Sequence, residues 1–242
     1  MMTAADVPTN EIAMKNRNNI EDYLLESYNK NLKDRKEETI FGNIPVYIIE
    51  ELPDHINLQA VLKRIEDLIP EHFVYGIDSI YVEHLKEFTN RSVNAVFKGG
   101  SIYVTNFQDN DADMFDDIVH EIAHSVEQLF KKQIYKDDAV KKEFLGKRKR
   151  LLDLLKQEGY TEYITAFNNA NYSRAFDEYL HQTIGYPLLQ TLTQGLFLSP
   201  YSVTSLREYF AIGFEEYFIK DRDYLKRVSP QLYNKIELVA EL

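Results

Sequence analysis

The strongest constraint on the fold of this sequence is the apolar periodicity of residues 111–130, which predicts one long amphipathic helix. At about 100° per residue, its apolar side chains point within roughly 60° of one direction. They are Phe115, Ile118, Val119, Ile122, Val126, Leu129 and Phe130. Asn110 or Asp111 suits the N-cap, and the acidic residues that follow suit the positive end of a helix. The helix must therefore bury this stripe against another layer of the protein.

The order of the predicted elements indicates an α+β fold, in which a small mixed sheet precedes a mainly helical C-terminal half. Strands are predicted in IPVYIIEEL from Ile44, in IDSIYVEHL from Ile77, and over 92–98 and 101–106 around the turn Gly99-Gly100. The helical patterns lie at 58–69, closed by Pro70, and after Tyr135 at 137–157, 160–182, 204–220 and 223–241.

Composition and pattern divide the chain into an N-terminal extension, residues 1–40, and one domain, residues 41–242. The extension is polar up to about residue 17, and apolar side chains at helical spacing then predict that it is partly helical. These are Ile20, Tyr23, Leu24 and Tyr28. With 242 residues, the chain can bury a sizeable core.

Cysteine usage and charge exclude several kinds of site. The chain has no cysteine, so any metal ion must be held by histidines and carboxylates. Lys and Arg total 28 against 39 Asp and Glu, and the net charge of −11 disfavours nucleic acid as a partner. The basic run KKEFLGKRKR at 141–150 is interpreted as the solvated face of a helix.

Hydropathy predicts neither a signal peptide nor a membrane span, because no stretch stays apolar for about 20 residues. We therefore expect a cytoplasmic protein by default, with leaderless secretion or delivery into another cell as the alternative. The sequence does not predict the oligomeric state.

The stretch FDDIVHEIAHSVEQ carries His120 and His124 four residues apart, so both imidazoles project from one side of the helix and can reach one metal ion. That side lies opposite the apolar stripe, among Asp113, Asp117, Glu127 and Gln128. The alternative interpretation is two surface histidines that share a polar face by chance.

The glutamate that follows His120, Glu121, indicates that this pair of histidines belongs to a hydrolytic zinc site. A hydrolytic zinc site needs three protein ligands and an open position for a water molecule whose pKa falls to about 7. Glu121 follows His120 directly and is placed to take the proton of that water as general base.

A third ligand is expected on a later helix, away from that helix's apolar stripe. The segment 199–218 meets this description, since Glu208 lies about 200° from Leu206 of the stripe. Ser205 and Glu208 also form a capping-box pattern, so spacing alone supports a capping role equally well. Glu178, Glu215 and His181 stay open as competing ligands.

The segments HEIAHSVEQ and REYFAIGFEEYF together resemble zincins of the HExxH, gluzincin-like kind, the zinc metallopeptidases related to the anthrax lethal factor catalytic domain and the Pro-Pro endopeptidases. The third ligand of that family lies in E-F-F-A-E-x-F, and the matching residues here are Glu208, Phe210, Ala211 and Phe214, with Tyr209 a mild change. The family's catalytic tyrosine, seven residues before the ligand, aligns with Tyr201.

The resemblance covers roughly 90–130 and 199–240, and the sequence departs from the family at two points. The chain between His124 and Glu208 is longer, so about 137–195 is interpreted as a helical insertion. The family's second acid is replaced by Ile212, and Glu215 is the residue that could substitute for it.

The resemblance implies a zincin-like fold and a zinc-dependent endopeptidase with one Zn²⁺ per chain, acting on a protein or peptide substrate. Tyr201 would help to stabilise the oxyanion, and the alternative is a tyrosine that packs at the start of a helix. The strand SIYVTN, residues 101–106, is expected to be the edge on which an extended substrate adds, with a position inside the sheet as the alternative. The alternatives are a cytosolic regulatory HExxH peptidase that cleaves one repressor-like partner, and a non-catalytic binding module with a vestigial zinc site.

Overall fold

A computed structural model describes residues 36–86, 88 and 93–242 of the protein. Within this part of the chain, five strands form one mixed sheet in the spatial order β1-β2-β3-β5-β4. The strands are β1 Lys36–Ile40, β2 Ile44–Ile48, β3 Ser79–Val82, β4 Ala95–Lys98 and β5 Ser101–Val104. Pairing is parallel in the middle of the sheet and antiparallel at both margins.

Strand β1 was not predicted from the sequence. It pairs with β2 across a turn in which Phe41 and Gly42 have φ values of 52° and 71°. Its side chains are mostly polar because it lies at the edge of the sheet, and only Ile40 joins the core. The proposed extension 1–40 therefore ends in a strand of the sheet, and the helical pattern predicted around Ile20 lies outside the described residues.

The hairpin predicted at Gly99-Gly100 is confirmed, with φ values of 60° and 83° at the two glycines. The expectation that 101–106 is the edge strand is wrong. Strand β5 pairs in parallel with β3, from Ser79 opposite Ser101 to Val82 opposite Val104, and so leaves the preceding strand β4 outside. Strand β4 is therefore the edge strand at this end of the sheet, and β1 is the edge strand at the other end.

Nine α-helices follow or interrupt the strands in the part of the chain that the structure describes. They are α1 Leu58–Leu68, α2 Asp111–Leu129, α3 Lys131–Tyr135, α4 Ala139–Gln157, α5 Arg174–Glu178, α6 Tyr186–Thr193, α7 Leu206–Phe218, α8 Arg222–Val228 and α9 Pro230–Ala240. Single turns of other helix types occupy Glu71–Val74, Ala166–Asn168, Tyr179–Ile184 and Tyr201–Val203. Among these described helices, none has the length and apolar character that crossing a membrane requires.

Two of the helix predictions differ from the structure. Residues 160–182 do not form one helix, because 160–173 is a loop with a short turn at 166–168 and the α-helix begins only at Arg174. Residues 223–241 form two helices, since Pro230 cannot continue α8 and instead opens α9. The prediction of a mixed sheet followed by a mainly helical half is confirmed.

Helix α2 lies at the centre of the molecule, with neighbours on both sides. Its apolar stripe packs against the sheet and α1, and Phe115, Ile118 and Val119 are fully buried there. The stripe ends earlier than predicted, because Leu129 is 45% exposed at the helix end. The opposite, polar side is not a surface face, since α7 covers it and leaves His124 only 5% exposed.

Two helical glycines provide a matched test of this packing. A Cβ at Gly213 of α7 would lie 2.9 Å from Cγ of Leu232 on α9, whereas a Cβ at the exposed Gly146 of α4 meets nothing within 4 Å. We expect Gly146→Ala to stabilise the protein by about 0.5–1 kcal/mol through helix propensity. Gly213→Ala should destabilise it, because overpacking costs about 1–3 kcal/mol. Urea denaturation measures both changes, and equal gains would contradict the close α7–α9 approach.

Candidate metal centre

Three side chains from two helices converge on one point. His120 and His124 come from α2 and Glu208 from α7, and their ligand atoms all lie within 4.8 Å of one another. Oε2 of Glu208 lies 3.0 Å from Nε2 of His120 and 3.6 Å from Nε2 of His124. This cluster could hold a metal ion.

The start of α7 explains why Glu208 reaches the histidines. Ser205 is the N-cap, and its Oγ accepts the N–H of Glu208 at 3.1 Å. The Glu208 carboxylate, however, hydrogen-bonds His120. The helix is thus capped by the serine hydroxyl, and the capping pattern is compatible with a ligand role for Glu208.

The competing ligands lie elsewhere. Glu178 is on α5 and accepts a hydrogen bond from Arg174 at 2.8 Å, while the ring of His181 contacts Tyr186 at a centroid distance of 5.1 Å. Glu215 is close to the cluster, but it contacts Nδ1 of His120, the ring nitrogen that faces away from Glu208.

Glu215 orients the His120 ring. Nδ1–H of His120 donates to Oε1 of Glu215 at 2.6 Å, and Nζ of Lys220 donates to the other carboxylate oxygen at 2.5 Å. A carboxylate on the second nitrogen fixes the ring and makes Nε2 a better ligand. Glu215 therefore lies where it can orient the His120 ring, while Ile212 lines the cavity.

The cluster is a network of coupled charges. Burial opposes the charged form of His120, but hydrogen bonds to Glu208 and Glu215 outweigh it and raise the pKa of His120 to about 10. Burial likewise opposes charge on Glu208 and Glu215, and their histidine partners nevertheless hold the pKa of both carboxyls below the ordinary value. A metal ion at Nε2 would replace the proton that links His120 to Glu208.

His124 has a partner that its motif did not predict. Nε of Arg207 donates to Nδ1 of His124 at 3.0 Å, which places the ring proton on Nε2. A metal ion on Nε2 requires the other tautomer and a turn of Arg207 away from the ring. Oε2 of Glu127, 4.0 Å from Nε of Arg207, is an acceptor to which it can turn. With that rearrangement, the three residues fit a metal ion.

Glu121 lies beside the cluster with 6% exposure. Its Oε2 accepts the backbone N–H of Phe97 at 2.6 Å, so the carboxylate is held between α2 and the edge strand β4. Glu121 and Phe97 are 24 residues apart and lie on different elements, so local spacing in the sequence did not predict this contact.

Tyr201 stands in the turn Tyr201–Val203 just before α7, with its ring centroid 6.4 Å from that of His120. Burial, together with the charge of Glu208, raises the pKa of Tyr201 above that of a free phenol. Like an ordinary tyrosine, Tyr201 is protonated at neutral pH and can donate a hydrogen bond.

A cavity of about 360 Å³ opens onto these groups. Residues 93–96, at the edge strand, form one wall, and the cluster, Glu121 and Tyr201 form others. Asp117 also lines it, hydrogen-bonded to Gln108 at 3.1 Å, and burial raises its pKa to about 6. All five residues predicted from the sequence as ligands or catalytic groups thus face one cavity.

In comparisons with known proteins, no family model matches the chain, and no curated protein or solved structure shows significant similarity to it.

Replacement of Glu215 tests its role in holding His120. Removing such a carboxylate typically weakens metal binding about 10–100-fold, so we expect that loss in Glu215→Gln. The neighbouring Glu216→Gln, whose carboxylate accepts from the backbone of Asp221, should keep the wild-type affinity. Zinc titration against a chromophoric chelator measures both constants, and equal affinities of the two variants would contradict the assignment.

The raised pKa of His120 predicts a pH dependence of the metal-free protein. A raised folded-state pKa stabilises the protein below the unfolded value of 6.5, and this contribution is lost as the pH rises towards 10. The difference in unfolding free energy between wild type and His120→Asn should therefore shrink over this window. Urea denaturation at several pH values measures it, and a constant difference would show that His120 is not paired with the two carboxylates.

Proposed function

We propose that the protein is a zinc-dependent endopeptidase that hydrolyses peptide bonds of a protein or peptide substrate. One Zn²⁺ per chain would be held by His120, His124 and Glu208. The observation that carries the proposal is the convergence of these three ligand atoms within 4.8 Å, at a cavity that Glu121 and Tyr201 also face. Two imidazoles and one carboxylate are a donor set that leaves zinc an open fourth position.

Zinc bound there would lower the pKa of a coordinated water molecule and polarise the substrate carbonyl. Glu121 supplies the proton transfer. Its Oε2 accepts the N–H of Phe97, and the residue lines the cavity, where its carboxylate would act as general base. The carboxyl would then deliver the same proton to the leaving amine.

Tyr201 supplies a donor for the charge that develops on the carbonyl oxygen. Its phenol is protonated at neutral pH, and its ring lies 6.4 Å from the His120 ring, between centroids. One such donor typically contributes about 10²–10³-fold to the rate constant.

Strand β4 supplies a place for the substrate backbone. The N–H of Thr105 donates to the carbonyl of Asn94, so Asn94 faces β5. Hydrogen-bonded and non-hydrogen-bonded positions alternate along an antiparallel pair, so the backbone N–H and C=O groups of Ala95 and Phe97 point away from β5. Phe97 meets Glu121 there, and Ala95 is left as the position at which an extended peptide could pair.

The alternative of a non-catalytic binding module predicts a different set of residues around the zinc ion. A structural zinc site is closed by four ligands and needs no base, whereas this cluster offers three ligands with a buried carboxylate beside them. A regulatory peptidase with a single partner would use the same chemistry and would differ only in its substrate range. The resemblance of HEIAHSVEQ and REYFAIGFEEYF to zincins supports the peptidase proposal.

Substitution of Glu121 separates these possibilities. Glu121→Ala should keep bound zinc and lose cleavage of a peptide library by about 10²-fold or more, because general-base catalysis contributes about 10²–10⁴-fold. Asp113→Asn, an exposed acid on the same helix, is the matched control and should cleave normally. Undiminished cleavage by Glu121→Ala would refute the mechanism, and zinc binding without cleavage by the wild type would favour the binding module.

A further inference from the structure

Arg148 is a fully buried cation whose hydrogen bonds all end on neutral groups in the described part of the chain. It lies on α4 with 0% exposure, inside the segment interpreted as an insertion. Its guanidinium donates to the backbone carbonyls of Val203, Thr204, Ala166 and Asn169. Nε and Nη2 share Val203, at 2.8 and 2.5 Å, and Nη2 reaches Thr204 at 2.6 Å.

Burying an arginine in this way is costly. Desolvation lowers the pKa of Arg148 to about 9, and the rings of Phe144 and Phe176 lie 4.6 Å from the guanidinium carbon. Only a set of well-placed acceptors can offset the lost hydration, and a planar fork of donors can bind several carbonyls at once. The geometry around Arg148 is therefore strongly specified.

The carbonyls of Val203 and Thr204 belong to a short link before helix α7, made of the last residue of the turn Tyr201–Val203 and the residue after it. Neither carbonyl takes part in the i→i−4 hydrogen bonds of α7, because the first acceptor in that helix is the carbonyl of Ser205. Tyr201 stands two residues before this link, and Glu208 four residues after it. Arg148 thus holds the link that sets the position of both side chains.

A second contact connects the same two parts of the chain. The N–H of Leu206, at the first position of α7, donates to the carbonyl of Ala170 at 2.8 Å. The loop that supplies Ala166 and Asn169 to Arg148 therefore also satisfies the start of α7. Through these contacts, the 137–195 region is joined to the metal-binding side of the cavity.

We propose that Arg148 is a positioning residue for Tyr201 and Glu208, and that the 137–195 region is an integral part of the active site. This inference rests on the proposed function for its catalytic consequence, although the positioning of residues 203–208 does not depend on catalysis. Loss of the guanidinium fork should displace the third ligand and the oxyanion donor together.

The test compares Arg148→Lys with Lys147→Met. A lysine at 148 keeps the charge but cannot bind four carbonyls. Lys147 is the neighbouring buried cation on α4 and donates to Ser229 rather than to the link, so it controls for general destabilisation. We expect Arg148→Lys to weaken zinc binding about tenfold or more and to lower kcat with little change in KM, while Lys147→Met changes neither.

Hydrogen exchange gives a readout that needs neither zinc nor a substrate. Amides 203–208 should exchange faster in metal-free Arg148→Lys than in metal-free Lys147→Met at equal global stability. Unchanged exchange of these amides would overturn the proposal, as would wild-type zinc affinity in the folded variant. Faster exchange in a protein whose wild type cleaves no peptide would support the positioning role and refute only the peptidase function.

A milder variant covers the case in which Arg148→Lys does not fold. Phe176→Leu removes one of the two rings beside the guanidinium and leaves its hydrogen-bonding atoms in place. The same pattern at smaller amplitude, faster exchange at 203–208 with weaker zinc binding, would support the proposal. A loss of stability without that pattern would overturn it.

Discussion

The contact between α2 and α7 is the interaction on which the rest of the site depends. It brings the carboxylates of Glu208 and Glu215 against the two nitrogens of His120 and removes all three groups from most of the solvent. Buried charges are tolerated only when they are paired and hydrogen-bonded, so neither helix can shift without leaving a charge unsatisfied. In the metal-free protein a proton on His120 links the helices, and a metal ion at Nε2 would take over that link.

The chain around this contact makes it rigid. On one side the sheet fixes α2 through its apolar stripe, and Phe97 of the edge strand holds the Glu121 carboxylate. On the other side α4 and the loop after it fix the start of α7 through Arg148, and Leu232 packs closely on Gly213. Each catalytic group proposed here is thus held by a second element of the fold, which is the arrangement that preorganised sites require.

Local patterns in the sequence were sufficient to predict the parts of the fold that depend on local signals. The stripe of α2, the glycine hairpin and the Ser205 cap are encoded within a few residues. Helical spacing brought His120, Glu121, His124 and, among alternatives, Glu208 forward as candidates, whereas Tyr201 came from the resemblance to zincins. Polar strand β1 carries no such periodicity. The helical pattern at 160–182 was misleading over 160–173, where the loop instead directs the carbonyls of Ala166 and Asn169 to Arg148. The edge position of β4 and the partners Arg207, Lys220 and Arg148 arise from residues distant in sequence, which spacing does not report. The polar residues around His120 and His124 predicted that this side of α2 lies opposite the apolar stripe, but they did not predict that α7 covers it.

Zinc-edge anomalous diffraction from crystals of the protein grown with Zn²⁺ is the direct test of the metal site. One peak per chain is expected, about 2.0–2.2 Å from Nε2 of His120, Nε2 of His124 and a carboxylate oxygen of Glu208, with Arg207 turned away from His124. A peak held by other residues would contradict it. So would crystals with equimolar zinc that show no peak and keep the hydrogen bond between His120 and Glu208.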